Sequence, residues 1–165
     1  MGKVVNLEEL KSIRIKLRKD KKRVVFTNGV FDILHRGHVE YLTEAKALGD
    51  VLIVGINSDN SVRRIKGDER PVISEEDRAF LVANLSTVDY VCLFSEDTPY
   101  NLISALIPDV LIKGADWKTG DIVGKDIVEK AGGVVKTITL TPGKSTTSII
   151  SRIIERFSHL RDIRK

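Results

Sequence analysis

Short apolar segments alternate with helical segments along almost the entire chain. Five segments are predicted to be strands: Val24–Phe26, Val51–Ile56, Tyr90–Phe94, Val110–Ile112 and Val134–Leu140. Helices are predicted around them: about Gly37 to Leu48, Ser74 to Leu85, Pro99–Ile107, Ile122–Ala131 and Ser145–Phe157. Strands that alternate with helices form a parallel sheet with right-handed crossovers and helices on both faces. The sequence therefore predicts a doubly wound α/β domain.

The N-terminal segment carries the signal of a helix start. Asn6 and Glu9 have the spacing of a capping box. Apolar residues follow at helical spacing: Leu7, Leu10, Ile13 and Leu17. We expect an N-terminal helix and lead-in in residues 1–22, a core that carries the chemistry in residues 23–157, and a basic tail in residues 158–165. With 165 residues and no linker or repeat, residues 1–165 fit a single domain.

Charge, apolar runs and cysteine content narrow the class of protein. The net charge of +4 comes from 27 basic and 23 acidic residues, and much of the excess lies in 16–23 and 152–165. Such runs are usually solvated helix faces, and aromatic residues, which stack on bases, are only 5% of the chain. No apolar run reaches the roughly 20 residues of a membrane span. With Cys92 as the lone cysteine, we expect a cytoplasmic protein that binds neither nucleic acid nor membrane.

Two histidines lie close together where the first strand gives way to a helix. In a parallel sheet, ligands bind beyond the carboxyl ends of the strands. His35 and His38 fall in that position, with Gly37 between them. Imidazole donors, a backbone without a side chain and a helix N-terminus together suit a triphosphate. A zinc site is the alternative, but His35 and His38, even with Asp32, lack a full ligand set.

The run from Thr27 to His38 resembles the H-x-G-H signature of the cytidylyltransferase-like nucleotidyltransferases. Further similar blocks follow in order: Glu40–Leu42, Ala45-Lys46, Gly55–Asp59, Lys66-Gly67, Arg70–Val72, Arg78, Lys113–Trp117 and Ser145–Ile150. Together they span about Val24 to Ile154. Within the family, the blocks are most similar to members that transfer AMP to a heptose 1-phosphate. Similarity to glycerol-3-phosphate cytidylyltransferases comes second.

The resemblance implies a Rossmann-like fold and transfer of AMP from ATP to a heptose 1-phosphate, giving ADP-heptose and pyrophosphate. It implies ATP and a phosphorylated sugar as partners. We expect Mg²⁺ as cofactor, because this ion bridges and neutralises triphosphate oxygens, and a homodimer as one assembly to be tested. The residues expected to be catalytic are His35, His38 and Lys46. Those expected to bind the nucleotide are Thr27, Asn28, Gly29, Phe31, Asp32, Gly37, Lys113, Asp116, Trp117, Ser145, Thr146, Thr147 and Ser148. Those expected to bind the acceptor are Lys66, Arg70 and Arg78.

Several alternatives stay open at this point. Asp32 could hold Mg²⁺, orient a histidine or cap the helix. The hydroxyl block Ser145–Ser148 could hold the β- and γ-phosphates or simply cap the last helix. A CTP-dependent enzyme that makes CDP-glycerol is the alternative activity. A nucleotide sensor without catalysis is the non-enzymatic alternative, although binding alone would not require both His35 and His38.

Overall fold

A six-stranded sheet forms the centre of the computed structural model, which describes residues 1–115 and 119–158. Its strands are β1 (Lys3–Val4), β2 (Val24–Gly29), β3 (Val51–Asn57), β4 (Tyr90–Phe94), β5 (Val110–Gly114) and β6 (Val134–Ile138). Their order across the sheet is β1-β4-β3-β2-β5-β6, and every neighbouring pair is parallel. All carboxyl ends therefore meet at one edge.

Seven α-helices connect or flank these strands in the described part of the chain. They are α1 (Leu7–Lys19), α2 (Arg36–Lys46), α3 (Asp59–Lys66), α4 (Glu75–Ala83), α5 (Tyr100–Leu106), α6 (Lys125–Lys130) and α7 (Thr146–Phe157). A 3-10 turn at Thr119–Asp121 precedes α6. Side chains cap several helix starts as the sequence predicts: Asn6 and Glu9 form the capping box of α1, and Ser74 caps α4.

The helices cover both faces of the sheet, and strand alternation determines which residues meet them. Val25 on β2 packs into a cluster with Leu42 of α2 and Val82 of α4. Its neighbours on β2 point the other way and pack into a second cluster with residues of α1, α5 and α6. Successive strand residues point to opposite faces, so a strand that is buried on both sides reads as continuously apolar. The predicted doubly wound α/β fold is confirmed.

One strand and one α-helix of the described residues were not predicted from the sequence. The edge strand β1 has only two residues, which is too short for a visible alternation. Helix α3 reads Asp-Asn-Ser-Val-Arg-Arg-Ile-Lys, and its few apolar residues give little periodicity, although Ser58 caps it through Ser61 N–H. The bounds of the predicted α6 also differ, because the helix starts only at Lys125. No helix among the described residues combines the length and apolarity needed to cross a membrane.

Candidate functional site

A cavity of about 640 Å³ opens at the carboxyl edge of the sheet. Its walls come from the segments that follow β2, β3, β4 and β5 and from the loop between β6 and α7. Basic side chains contribute from every side: His35, His38, Lys66, Arg70, Lys113 and Lys144. Among the described residues, those that line it with an acidic side chain are Asp32, which is bonded to Arg70, and Asp97, which is bonded to Arg64. The balance of charge favours a polyanionic ligand.

The two histidines of the first loop stack on each other at the start of α2. Their ring centroids are 3.8 Å apart and the planes are inclined by only 15°. His35 is the N-cap residue of α2, with extended backbone, and its side chain makes no capping hydrogen bond. In both rings Nδ1 is buried and has no hydrogen-bond partner among the described residues. The two rings are therefore positioned by stacking and packing, without a hydrogen bond from another residue to either Nδ1.

Burial keeps both histidines neutral at pH 7. Burial, together with the neighbouring His35, lowers the pKa of His38 from 6.5 to about 4. Burial lowers the pKa of His35 as well, and the positive charge of Lys144 adds to the effect. A buried cation costs free energy unless an anion is present to compensate it. A phosphate brought to these rings would reverse that balance and favour N–H donation to the anion.

The absence of a side chain at Gly37 leaves space for the ring of His35 and for the stem of Lys144. A Cβ at this position would lie 3.1 Å from Nδ1 of His35 and 3.1 Å from Cβ of Lys144. Both distances are tighter than ordinary packing, so a methyl group would have to displace the ring or the lysine stem. The glycine thus allows the loop before α7 to approach the start of α2.

The segment after β2 packs against the pair His35–His38. The φ angle of Phe31 is +51°, in the left-handed region, and its ring centroid lies 5.3 Å from that of His38. The ring also sits against Gly29, where a Cβ would come within 3.0 Å of it. Asn28 lines the cavity, and its Oδ1 is buried without a partner among the described residues. Thr27 does not line the cavity: its hydroxyl bonds to Tyr41 Oη and Ile112 O inside the core.

The N-terminus of α7 faces the same end of the cavity. Ser145 and Ser148 form a capping box, in which each side chain meets the other residue's backbone N–H. Ser145 and Thr146 line the cavity, whereas Thr147 and Ser148 are not among the lining residues. The structure therefore brings together the starts of α2 and α7, two partly positive helix ends.

Lys66 and Arg70 line the opposite end of the cavity. Lys66 ends α3 and is exposed. The Nε of Arg70 donates to Asp32 Oδ2 at 2.6 Å, and the side chain of Arg70 is 19% exposed. No other hydrogen bond engages the guanidinium of Arg70 among the described residues, so its two terminal nitrogens can donate to a ligand. Asp32 thus orients a cation toward the cavity.

Both carboxylate oxygens of Asp32 are already engaged by the protein. Its Oδ1 accepts from the backbone N–H groups of Val72 and Ile73, and its Oδ2 accepts from Arg70. Burial raises its pKa, but these three hydrogen bonds outweigh burial and hold the pKa below the usual 3.8. No group of three His, Cys, Asp or Glu side chains suited to a metal occurs in the described residues. The described side chains therefore do not fit a metal site made by the protein alone.

Arg78, expected to bind the acceptor, lies in the interior instead. Its side chain is fully buried and does not line the cavity. Four donations engage its guanidinium: to Val30 O, Asn57 O, Ile73 O and Asp59 Oδ1. These acceptors belong to the ends of β2 and β3 and to the segments beside them. Arg78 therefore holds the loops that form the cavity and does not reach a substrate.

Lys46, expected to be catalytic, is also remote from the cavity. Its Nζ donates to Asp89 Oδ2 and to Asp50 O, both at 2.6 Å. Asp50 and Asp89 immediately precede β3 and β4, so the contact is at the amino edge of the sheet. Strand β3 has seven residues, which at about 3.3 Å per residue separates the two edges by roughly 20 Å. Lys46 ties α2 to the sheet and is not part of the candidate site.

The remaining expected residues divide into two groups. Lys113 lines the cavity after β5. Asp116 and Trp117 lie outside the described residues, as does most of the tail in 158–165. Lys144 also lines the cavity, although no role was assigned to it from the sequence.

The fold and the site define a Rossmann-like α/β domain with a cavity suited to a polyanion. The N-termini of α2 and α7 lie at one end of this cavity, and the cations Lys66 and Arg70 line the other. A family profile described as cytidylyltransferase-like matches residues 26–156. The chain belongs to the cytidylyltransferase-like family. The resemblance drawn from the H-x-G-H signature is thereby confirmed.

Curated relatives agree with this membership. The bifunctional protein HldE of Trichlorobacter lovleyi is 53% identical over 157 residues, which cover 95% of this chain and 32% of the relative. The HldE protein of Helicobacter pylori is 51% identical over 151 residues, covering 92% of this chain and 31% of the relative. The chain therefore spans about a third of the length of these relatives.

Two solved structures share the fold. The lipopolysaccharide core biosynthesis protein of Thermoplasma volcanium is 34% identical, with a TM-score of 0.60, over 73% of this chain and 97% of that one. The pantoate-beta-alanine ligase of Francisella tularensis also has a TM-score of 0.60, over 86% of this chain and 69% of that one. At 18% identity, the second similarity concerns the fold alone.

Proposed function

We propose that the protein is a nucleotidyltransferase that transfers AMP from ATP to a heptose 1-phosphate, giving ADP-heptose and pyrophosphate. The observation that carries this proposal is the stacked pair His35–His38 at the start of α2. It opens on a cavity whose two ends both carry cations. A reaction between two polyanions requires such a site, because each anion needs its own compensating charge before the two can approach.

The two ends suggest how the substrates lie. The triphosphate would lie between the starts of α2 and α7, against His35, His38, Ser145 and Thr146. The phosphate of the acceptor would approach Lys66 and Arg70 from the other side. Strands β3 and β6 are three strand spacings apart, about 14 Å, so the two subsites are separate but meet over β2.

The chemistry needs positioning and charge compensation more than proton transfer. A phosphate oxygen of the acceptor attacks the α-phosphorus of ATP and forms a new P–O bond. The bond between that phosphorus and the α–β bridging oxygen breaks, and its electron pair leaves with pyrophosphate. A phosphate monoester has its second pKa near 6, so at neutral pH the attacking group needs no general base. His35 and His38 would donate N–H groups to the oxygens that gain charge.

We propose that Mg²⁺ enters with ATP as part of the substrate. Magnesium typically keeps several water ligands and binds through substrate phosphates and few protein groups. That behaviour agrees with Asp32, whose oxygens are already engaged by Arg70, Val72 and Ile73. Asp32 would then act on the acceptor through Arg70.

The choice of substrates rests on the resemblance and on the relatives. Proteins named HldE are about half identical to this chain over most of its length. A structure named as a lipopolysaccharide core biosynthesis protein is 34% identical. A cytoplasmic location follows from ATP as the donor. A homodimer also remains a prediction, to be checked by light scattering after size-exclusion chromatography.

Pyrophosphate release from the purified chain tests this proposal. The four nucleoside triphosphates are each mixed with heptose 1-phosphate or glycerol 3-phosphate. We expect the highest kcat/KM for ATP with heptose 1-phosphate, and ADP-heptose as the product by mass. A preference for CTP with glycerol 3-phosphate would replace the substrates but keep the reaction. ATP binding without pyrophosphate release from any pair would favour the nucleotide sensor.

A further inference from the structure

Lys144 carries a side-chain charge at the cavity that no assigned role explains. It lies in the loop between β6 and α7 and lines the same end of the cavity as His35 and Ser145. We propose that Lys144 binds the β- and γ-phosphates of the nucleotide and compensates the charge of the departing pyrophosphate. This inference rests on the proposed function, because it assigns a residue to one substrate of that reaction.

A tight turn fixes the position of Lys144. The four residues Thr141-Pro142-Gly143-Lys144 close with a hydrogen bond from Lys144 N to Thr141 O at 3.3 Å. Pro142 suits the second position of such a turn, and Gly143, with φ of +70°, suits the third. The next residue, Ser145, caps α7. The lysine is therefore held between a rigid turn and a helix start.

Glu40 anchors this turn to α2. Its carboxylate accepts a hydrogen bond from the hydroxyl of Thr141, at the first position of the turn. The same carboxylate accepts from Arg36 Nε at 2.6 Å. These bonds, the one from Thr141 first, hold the pKa of Glu40 below its usual value, so the anchor persists at neutral pH.

The stem of Lys144 lies beside the histidine pair. Its Cβ is 3.1 Å from the position that a Cβ on Gly37 would take, and Nδ1 of His35 is equally close to that position. The positive charge is near enough to His35 to lower the pKa of that ring. A phosphate group that contacts His35 would therefore lie within the field of the Lys144 ammonium.

The ammonium of Lys144 is available to a ligand. Among the described residues, no hydrogen bond or salt bridge engages its Nζ, and the residue is exposed. Glu40 is the nearby anion, but Arg36 and Thr141 already occupy its carboxylate. A lysine ammonium binds phosphate as a mobile point charge, which suits a leaving group whose charge and position change during the reaction.

Binding measurements with three phosphate probes test the role of Lys144. Lys144→Met removes the charge and Lys144→Arg retains it. Lys136→Met is the matched control, because Lys136 is also exposed but lies on β6 and does not line the cavity. Calorimetry with ATP, AMP and inorganic pyrophosphate then separates the β- and γ-phosphates from the rest of the nucleotide.

We expect Lys144→Met to weaken ATP and pyrophosphate binding about tenfold, the scale of one charged hydrogen bond, and AMP binding less than twofold. Lys144→Arg should retain most of the affinity, and Lys136→Met should match the wild type. Unchanged ATP binding by Lys144→Met, or an equal loss for AMP, would overturn the inference. If the wild type bound ATP but released no pyrophosphate, the proposed reaction would fail while the binding role of Lys144 could still be measured.

Discussion

A single added methyl group at Gly37 would disturb the packing of the histidine loop. The methyl group in Gly37→Ala would enter the space between His35 Nδ1 and the stem of Lys144, where both are 3.1 Å away. We predict that Gly37→Ala lowers kcat at least about tenfold, since a small displacement of reacting groups is costly, while the melting temperature changes little. Gly120→Ala is the matched control, because a Cβ there meets no atom of the described residues within 4 Å. Equal kinetics for the two variants would show that the close approach at Gly37 is unimportant.

The imidazole groups themselves can be removed one at a time. We predict that His35→Ala and His38→Ala each lower kcat about a hundredfold, the scale for loss of one oriented donor to developing charge. The fold should survive, because each ring makes no hydrogen bond to the protein through Nδ1. Steady-state kinetics with circular dichroism as the folding control provides the measurement. Near-normal turnover in either variant would remove that residue from the proposed mechanism.

At the scale of whole elements, α4 is joined to the loops of the cavity through Arg78. Its four acceptors lie on three segments, and the side chain is fully buried. Breaking a buried ion pair by removing one partner typically costs about 3–5 kcal/mol. We therefore predict that Arg78→Met lowers the free energy of unfolding by about that amount in urea denaturation. A stable variant with only a raised KM for the acceptor would restore the role expected from the sequence.

The start of α7 offers a matched pair of hydroxyl variants. Thr146 lines the cavity, whereas Thr147 beside it is exposed and does not. We predict that Thr146→Val weakens ATP binding several-fold relative to AMP, and that Thr147→Val changes neither. Ser145→Ala should also lower stability by about 1 kcal/mol, because it removes the cap of α7. If Thr147→Val had the larger effect on ATP, the phosphates would approach α7 from its other side.

Across the whole molecule, local sequence signals predicted the elements better than the partners of long side chains. The capping box Asn6–Glu9 and the cap Ser74 act within one helical turn, and they appear where the sequence predicts them. The ligand-binding edge follows from topology, since all strands are parallel. Lys46 and Arg78 differ, because each lies on a helix and is held in part by residues distant in the sequence. A single sequence does not reveal whether such a side chain faces a substrate, an ion pair or the core.

Protonation of the buried histidine pair should affect the stability of the whole fold. The pKa of His38 is about 4 in the folded protein and about 6.5 in an unfolded chain. Below pH 6.5 the unfolded chain therefore binds more protons, so the free energy of unfolding falls as the pH falls toward 4. The lowered pKa values of Asp32, Glu40 and Glu96 start to matter only below about pH 4.5.

We accordingly predict that the melting temperature of the ligand-free protein drops between pH 6.5 and pH 5, and that His38→Gln drops less over the same interval. Inorganic pyrophosphate should reduce the drop in the wild type, because an anion beside His35 and His38 raises their pKa values. Thermal unfolding at four pH values, with and without pyrophosphate, gives the comparison. Parallel curves for the wild type and His38→Gln would mean that His38 is solvated enough to titrate normally. The description of His35 and His38 as a buried, neutral pair would then be wrong.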